Sequence, residues 1–292
     1  MSFLSLLLVY ILHRRFNLTL GRQVGVQARH YQHWLRTRVP AVAASGWGLF
    51  ALAVLLPSLA LLVLDWLADD WLFGAGGLFL QILVLFLVLG CPLLKPVLEA
   101  SLEDWQMGRH SAAEALWREI GPGLQEPART AAEMHRRIRQ EFLYQSFARY
   151  FHVIFWFMLL GAPMALLARL VDEAAESGDS EALREVAGRV NGWLQWLPAR
   201  LLVGTFALAG NFSDCMRRGW QNLNDPDRRV RVLLDEAAEG ALSSTELAGL
   251  EGADQSEARR HVAYLLALRD LLNRSILVWF AVLAALVLMG LL

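Results

Sequence analysis

Five apolar blocks, at about residues 41–64, 72–94, 150–170, 192–210 and 275–292, constrain this chain more than any other feature. A helix that crosses a bilayer needs roughly 20 such residues, because lipid offers no partner for an unpaired backbone amide. Residues 2–12 form a sixth, shorter stretch, which either crosses or lies within one leaflet. The wider composition agrees. Hydrophobic residues make up 56% of the 292 and charged residues only 19%, where a soluble chain carries about a quarter charged. A net charge of −1 leaves no global electrostatic footprint for nucleic acid.

The charged stretches between the blocks imply a path. Residues 13–38 hold Arg14, Arg15, Arg22, Arg29, Arg36 and Arg38 and no acid, which marks a cytoplasmic segment. The link DWLADDW at 65–71 carries only acids and faces the other side. Lys95 and seven arginines return 95–149 to the cytoplasm; six acids against two arginines place 171–190 outside; arginine-rich 211–274 comes back in. Trp66, Trp71, Trp193 and Trp196 fall at the implied outer boundaries, as an aromatic belt does. The expected fold is therefore all-α: one polytopic membrane domain over 1–292, with five or six membrane helices and helical cytoplasmic insertions at 95–149 and 211–274.

Within the insertions, SAAE at 111–114 and SSTE at 243–246 read as capping boxes. GPG at 121–123 and NDPD at 224–227 read as breaks. The helix after 130 continues toward the next block, and SEARRHVAYLLALRDLLNRS feeds into the last one, with Val262, Leu265, Leu266 and Leu268 near one face. The start MSFLSLLLVYILHRRF lacks the basic n-region of a secretory signal. Cys91 and Cys215 are far apart and suggest no disulfide framework.

Motifs that carry chemistry are scarce. There is no Walker A, HExxH, GxSxG or CxxC. GAGG at 74–77 fits close helix packing, and His30 with His33 does not complete a metal site. The motifs imply no metal site and identify no cofactor. The informative stretch is WLPARLL at 196–202. Arg200 lies near mid-membrane, where an arginine costs at least about 2.5 kcal/mol unless compensated. Pro198 lacks an N–H and releases the carbonyl of Leu194. A bend there opens a recess beside a buried positive charge, which either an acid on another helix or an anionic ligand compensates. On the cytoplasmic rim, Lys95 and Glu99 share a helix face, and Glu141, Arg149, Tyr150, His152 and Trp156 cluster at the mouth of a block. These residues with Arg200 form the candidate ligand site. The basic 13–38 segment either sets topology or touches anionic lipid.

The start MSFLSLLLVYIL, the block FARYFHVIFWFMLLGAP, WLPARL followed by ALAG, and the apolar C-terminal stretch together resemble the AmpE family. The resemblance implies a signalling or accessory protein of the bacterial inner membrane, linked to cell-wall recycling and β-lactamase induction, with the bilayer and a cell-wall recycling protein as partners. It supplies no catalytic residue. PARL after a tryptophan-rich lead and FW before GAP are also similar to the cobalamin-pathway synthases CobD and CbiB. Trp156, Gly161, Pro198 and Arg200 are the matching positions. ARLVDEA at 168–174 keeps Arg169 and Asp172 without the Asn-Thr pair of the synthases, and His13 stands where they imply an acid. An amide-forming synthase is thus the alternative. A transporter is a further one, though no inverted halves or paired broken spans are evident.

Overall fold

The computed structural model describes residues 2–16, 21–39, 45–69, 75–89, 95–119, 121, 124, 130–223, 230–242 and 257–290. Among them all regular structure is helical. In chain order the elements are α1 (Ser2–Phe16), α2 (Gly21–Arg38), α3 (Gly46–Phe50), a π-helical turn π1 (Ala51–Leu55), α4 (Leu56–Asp69) and α5 (Ala75–Val88). Next come α6 (Lys95–Gln106), α7 (His110–Arg118), α8 (Ala131–Ser146), a second π turn π2 (Phe147–Phe151) and α9 (His152–Ser177). The chain continues with α10 (Glu181–Ala209), α11 (Phe212–Leu223), α12 (Val230–Leu242) and α13 (Glu257–Leu288).

Among the described residues three helices are long and apolar enough to cross a membrane: Gly46–Ala68, Ala132–Ser177 and Arg260–Leu288. The block at 72–94 appears as the shorter apolar helix Gly76–Val88. The block at 192–210 is the second half of α10, where Gln195, Pro198 and Arg200 interrupt the apolar sequence. Leu59, Leu62, Val63, Leu64 and Leu67 of α4, Leu160 of α9 and Leu277 and Val282 of α13 are all exposed. Outward leucine and valine of this kind suit lipid better than water. Trp66 and Trp193 project with them.

Two compact units divide the chain: Met1–Pro92, Ala148–Gln195 and Leu286–Leu292 form the first, Leu93–Phe147 and Trp196–Ala285 the second. The insertions at 95–149 and 211–274 supply most of the second. In the first unit α2, α3, π1, α9 and α10 enclose a core of Leu35, Leu49, Phe50, Val54, Val171 and Leu183. In the second, α11 packs on α12, α12 on α8, α8 on α7 and α7 on α6. Glycine makes the α11–α12 approach possible: a Cβ on Gly240 would lie 2.8 Å from the Cα of Cys215. Burial there pushes the Cys215 thiol up to about 11, since apolar surroundings disfavour a thiolate.

Local chemistry sets the helix ends and irregularities. α8 starts on Thr130, whose hydroxyl accepts from the amide of Glu133 at 3.2 Å. α7 opens on Arg109, so Ser111 lies inside its first turn rather than at the cap, and Glu114 instead takes Arg118 at 2.6 Å. π1 directly precedes Pro57, whose missing N–H breaks the regular ladder. The expected turn at 224–227 and the expected cap at 243–246 lie outside the described residues, as do Trp71 and Cys91.

One sequence expectation is overturned. Arg36 Nη1 meets the Asp179 carboxylate at 2.9 Å, Arg29 lies 3.7 Å from Glu173, and the Asp179 amide donates to Gln32 Oε1 at 3.3 Å. Residues 13–38 and 171–190 therefore meet on one side instead of facing opposite sides of the bilayer. The arginine excess of one is partnered by the acid excess of the other, so counting either alone misreads it.

Candidate functional site

The second unit holds a polar layer built on α8. Arg139 grips Asp235 of α12 with one edge of its guanidinium, Nε on Oδ1 and Nη2 on Oδ2 at 2.9 Å. Gln140 adds a third donor to the same carboxylate at 3.0 Å. One turn away the polarity reverses. Arg231 of α12 donates to Glu141 of α8 at 3.3 Å and lies 3.7 Å above the Tyr144 ring. Gln145 donates to the other Glu141 oxygen at 2.7 Å. Each helix thus presents one cation and one anion to the other. A register slip would put like charges together, which is the best attested use of buried ion pairs. Gly121 closes the site from the GPG break: a Cβ there would fall 1.8 Å from Glu141 Oε1.

Beside this layer lies a ring cluster that sequence spacing does not reveal. Trp105 of α6 touches His110 of α7, His135 of α8 and His261 of α13, with ring centroids 4.4, 4.5 and 4.8 Å away. His135 and His261 stack at 4.0 Å with planes 15° apart. The Arg139 guanidinium lies 5.0 Å over the Tyr264 ring, one turn along α13 from His261. These residues come from four helices, with His135 and His261 far along the chain from Trp105 and His110, so no motif joins them. The one readable trace is His135 and Arg139 at i, i+4.

The first unit has its own buried network, between α9 and α10. Asp172 accepts Asn191 at 3.2 Å and Gln195 at 3.1 Å on one oxygen, and Arg169 at 3.1 Å on the other. Arg169 also reaches Glu173 at 3.3 Å, and Ser177 donates to that carboxylate at 2.8 Å. Gly25 of α2 leaves room for Glu173 to come within 2.7 Å of where a Cβ would be. Both lone-pair sets of Asp172 are occupied, so the group acts as a lock between helices rather than as a base awaiting a substrate. Above it, Trp156 Nε1 donates to the Leu194 carbonyl at 3.2 Å. This is the carbonyl that Pro198 deprives of its helical donor.

The sequence-selected residues divide between these places. Trp156 and the fully buried His152 line the α9–α10 contact of the first unit, with buried Tyr150 and half-buried Arg149 in π2 just ahead of them. Glu141 belongs to the polar layer of the second unit, and Glu99 is on the exposed face of α6. Lys95 begins α6, and its side chain lies outside the described residues. Arg200 is half-buried in the second unit; it donates to the Trp196 carbonyl at 3.0 Å and stacks 4.2 Å over that indole. Trp196, Leu197 and Leu201 are exposed around it. Among the described residues no group of three His, Cys, Asp or Glu has the geometry to hold a metal ion.

The sequence model of the family described as "Regulatory signalling modulator protein AmpE" matches residues 1–243. The chain belongs to the AmpE family. No curated protein and no solved structure matches it. The match to AmpE takes in α1 to α12, hence Trp105, His110, His135 and both reciprocal ion pairs, and stops before α13, which brings His261 and Tyr264.

Proposed function

We propose that the protein acts in the bacterial inner membrane as a non-catalytic signalling modulator, linked to cell-wall recycling and β-lactamase induction, and that it binds an anionic small molecule or lipid at Arg200. The observation that carries this reading is α13. One helix of the second unit lends His261 and Tyr264 to a polar layer at one end and exposes Leu277 and Val282 at the other. Its Trp279 donates to Thr205 of α10 at 3.0 Å, which ties it to the helix that carries Arg200. A change at the arginine has a packed route into the polar layer without any reaction at a catalytic group.

Arg200 supports an anion partner because its guanidinium, which donates to the carbonyl and stacks over the ring of Trp196 on its own helix, sits amid exposed apolar side chains. An acidic headgroup or a carboxylate there offsets the cost of an arginine in lipid. Lys95 and Glu99 belong to the same unit. The test is thermal stability of the purified protein against added anionic phospholipid and, separately, an anionic muropeptide. Wild-type protein gains several degrees with one of them; Arg200→Ala loses that gain and Arg200→Lys keeps part of it. An Arg200→Ala protein that is stabilised as fully as wild type by both defeats the assignment. In cells lacking the native copy, the same variant lowers inducible β-lactamase.

A further inference from the structure

The His135–His261 stack joins two helices that each lead into an apolar stretch: α8 runs through π2 into α9, and α13 runs into 275–288. Both rings stand within the first four residues of the helices long enough to cross a membrane, Ala132–Ser177 and Arg260–Leu288, and ahead of their apolar blocks. His261 is 93% buried by complement of its 7% exposure, its Nε2 has no hydrogen-bond partner among the described residues, and Trp105 Nε1 beside it has none either. The planes are nearly parallel, so their in-plane nitrogens point side by side and cannot converge on one metal ion. A proton is the species this arrangement can respond to.

We propose that the His135–His261 stack is a proton-operated latch, closed while both imidazoles are neutral and released when the rings gain charge and α13 lifts from α8. His110 of α7 and Arg139 of α8 act on the stack, Glu257 stands one turn before His261 on α13, and Arg139 is itself surrounded by Tyr264 of α13 and by Asp235 and Glu239 of α12. Asp235 is already engaged twice by Arg139. The cation nearest the stack is therefore present whatever the pH, and the groups that act on His261 among the described side chains, His135, Arg139 and His110, carry or gain positive charge. A charged imidazole is also less well solvated in these buried surroundings than in water, so charging the rings favours the open form. The latch is independent of the ligand reading at Arg200, since it needs no ligand.

The sign follows from linkage. Stability that depends on neutral, buried histidine is present above the ordinary value of about 6.5 and is lost as pH falls below it. An opened imidazole that titrates at that value favours the open form about tenfold more at pH 5.5 than at pH 7.5, and two such rings about a hundredfold. Hydrogen exchange of the full chain in lipid nanodiscs reads this directly, over 131–146 and 257–268, after correction for intrinsic pH effects. Wild type should show opening in both segments rising by ten- to a hundredfold between pH 7.5 and 5.5. His261→Gln and His135→Gln each should cut that rise to about tenfold or less, and the double variant should abolish it, while exchange in α2 keeps its wild-type response. A wild-type protein with no rise in these segments, or single and double variants that retain the full rise, overturns the latch. The wild-type measurement decides alone if a variant does not fold. Loss of anion binding at Arg200 leaves this outcome unchanged, so the two readings fail separately.

Discussion

Asp172 shows how far a single side chain can be judged from its letter. In the sequence it stands in an acid-rich link and counts toward topology; in the fold it is 2% exposed and accepts from Arg169, Asn191 and Gln195. Hydropathy finds a charge set among leucines, as it finds Arg200. It cannot find a charge that neighbouring helices desolvate. Arg200 accordingly drew the eye and is half-buried on its own Trp196, whereas the deeply buried pair is Arg169 and Asp172. Asp172→Asn should cost about 3–5 kcal/mol of unfolding free energy in mixed micelles, because it strands the Arg169 guanidinium. Replacing both by apolar residues, Arg169→Met with Asp172→Leu, should cost less than that single change. Equal or smaller loss for Asp172→Asn alone would mean that the pair is solvated. Of the chosen candidates, Glu141 and Trp156 had visible neighbours in the sequence, but their partners Arg231 and the Leu194 carbonyl are supplied by helices 90 and 38 residues on.

At the scale of elements the sequence is far more legible. Apolar runs and helix formers mark α4, α8, α9 and α13, and the expected continuity of the last helix into its apolar block is present from Glu257 to Leu288. Val262, Leu265 and Leu268 are buried along it, and Leu266 is not fully so. What periodicity cannot supply is the interruption inside α9. Gly161 adopts φ 80° and ψ −171° two residues before Pro163, a backbone state open essentially to glycine alone. The proline is visible in the sequence, yet the sign of a glycine's φ depends on what packs around it. Helix approach is similarly hidden. Gly240 seats α12 on α11, with Cys215 Cα and Asp214 O at 2.8 and 2.9 Å from a would-be Cβ. Both are backbone atoms, so Gly240→Ala should cost about 1–3 kcal/mol through overpacking. Gly204→Ala, where nothing lies within 4 Å, should leave the melting temperature unchanged or slightly raised. Thermal unfolding of the two variants side by side checks the contrast, and equal melting temperatures would remove the packing account.

For the whole molecule, the charge count misplaces one segment, because it treats each loop as facing water alone. The Arg36–Asp179 and Arg29–Glu173 pairs hold 13–38 against 171–190, so both are reached from the same side. In a cysteine-free background, His33→Cys and Glu181→Cys, both at exposed positions, should be modified by the same membrane-impermeant maleimide in the same vesicle orientation. Labelling from opposite sides would restore the alternating path. The pairing also has a consequence for biogenesis. Arg36 and its carboxylate partner are separated by 143 residues, so at bacterial elongation speeds of about 5–20 residues per second the cation is translated roughly 7–30 s before its counterion exists. During that interval the insertion machinery handles an arginine-rich segment without its neutralising mate, and the orientation it first adopts is decided by a charge balance that the finished protein no longer has.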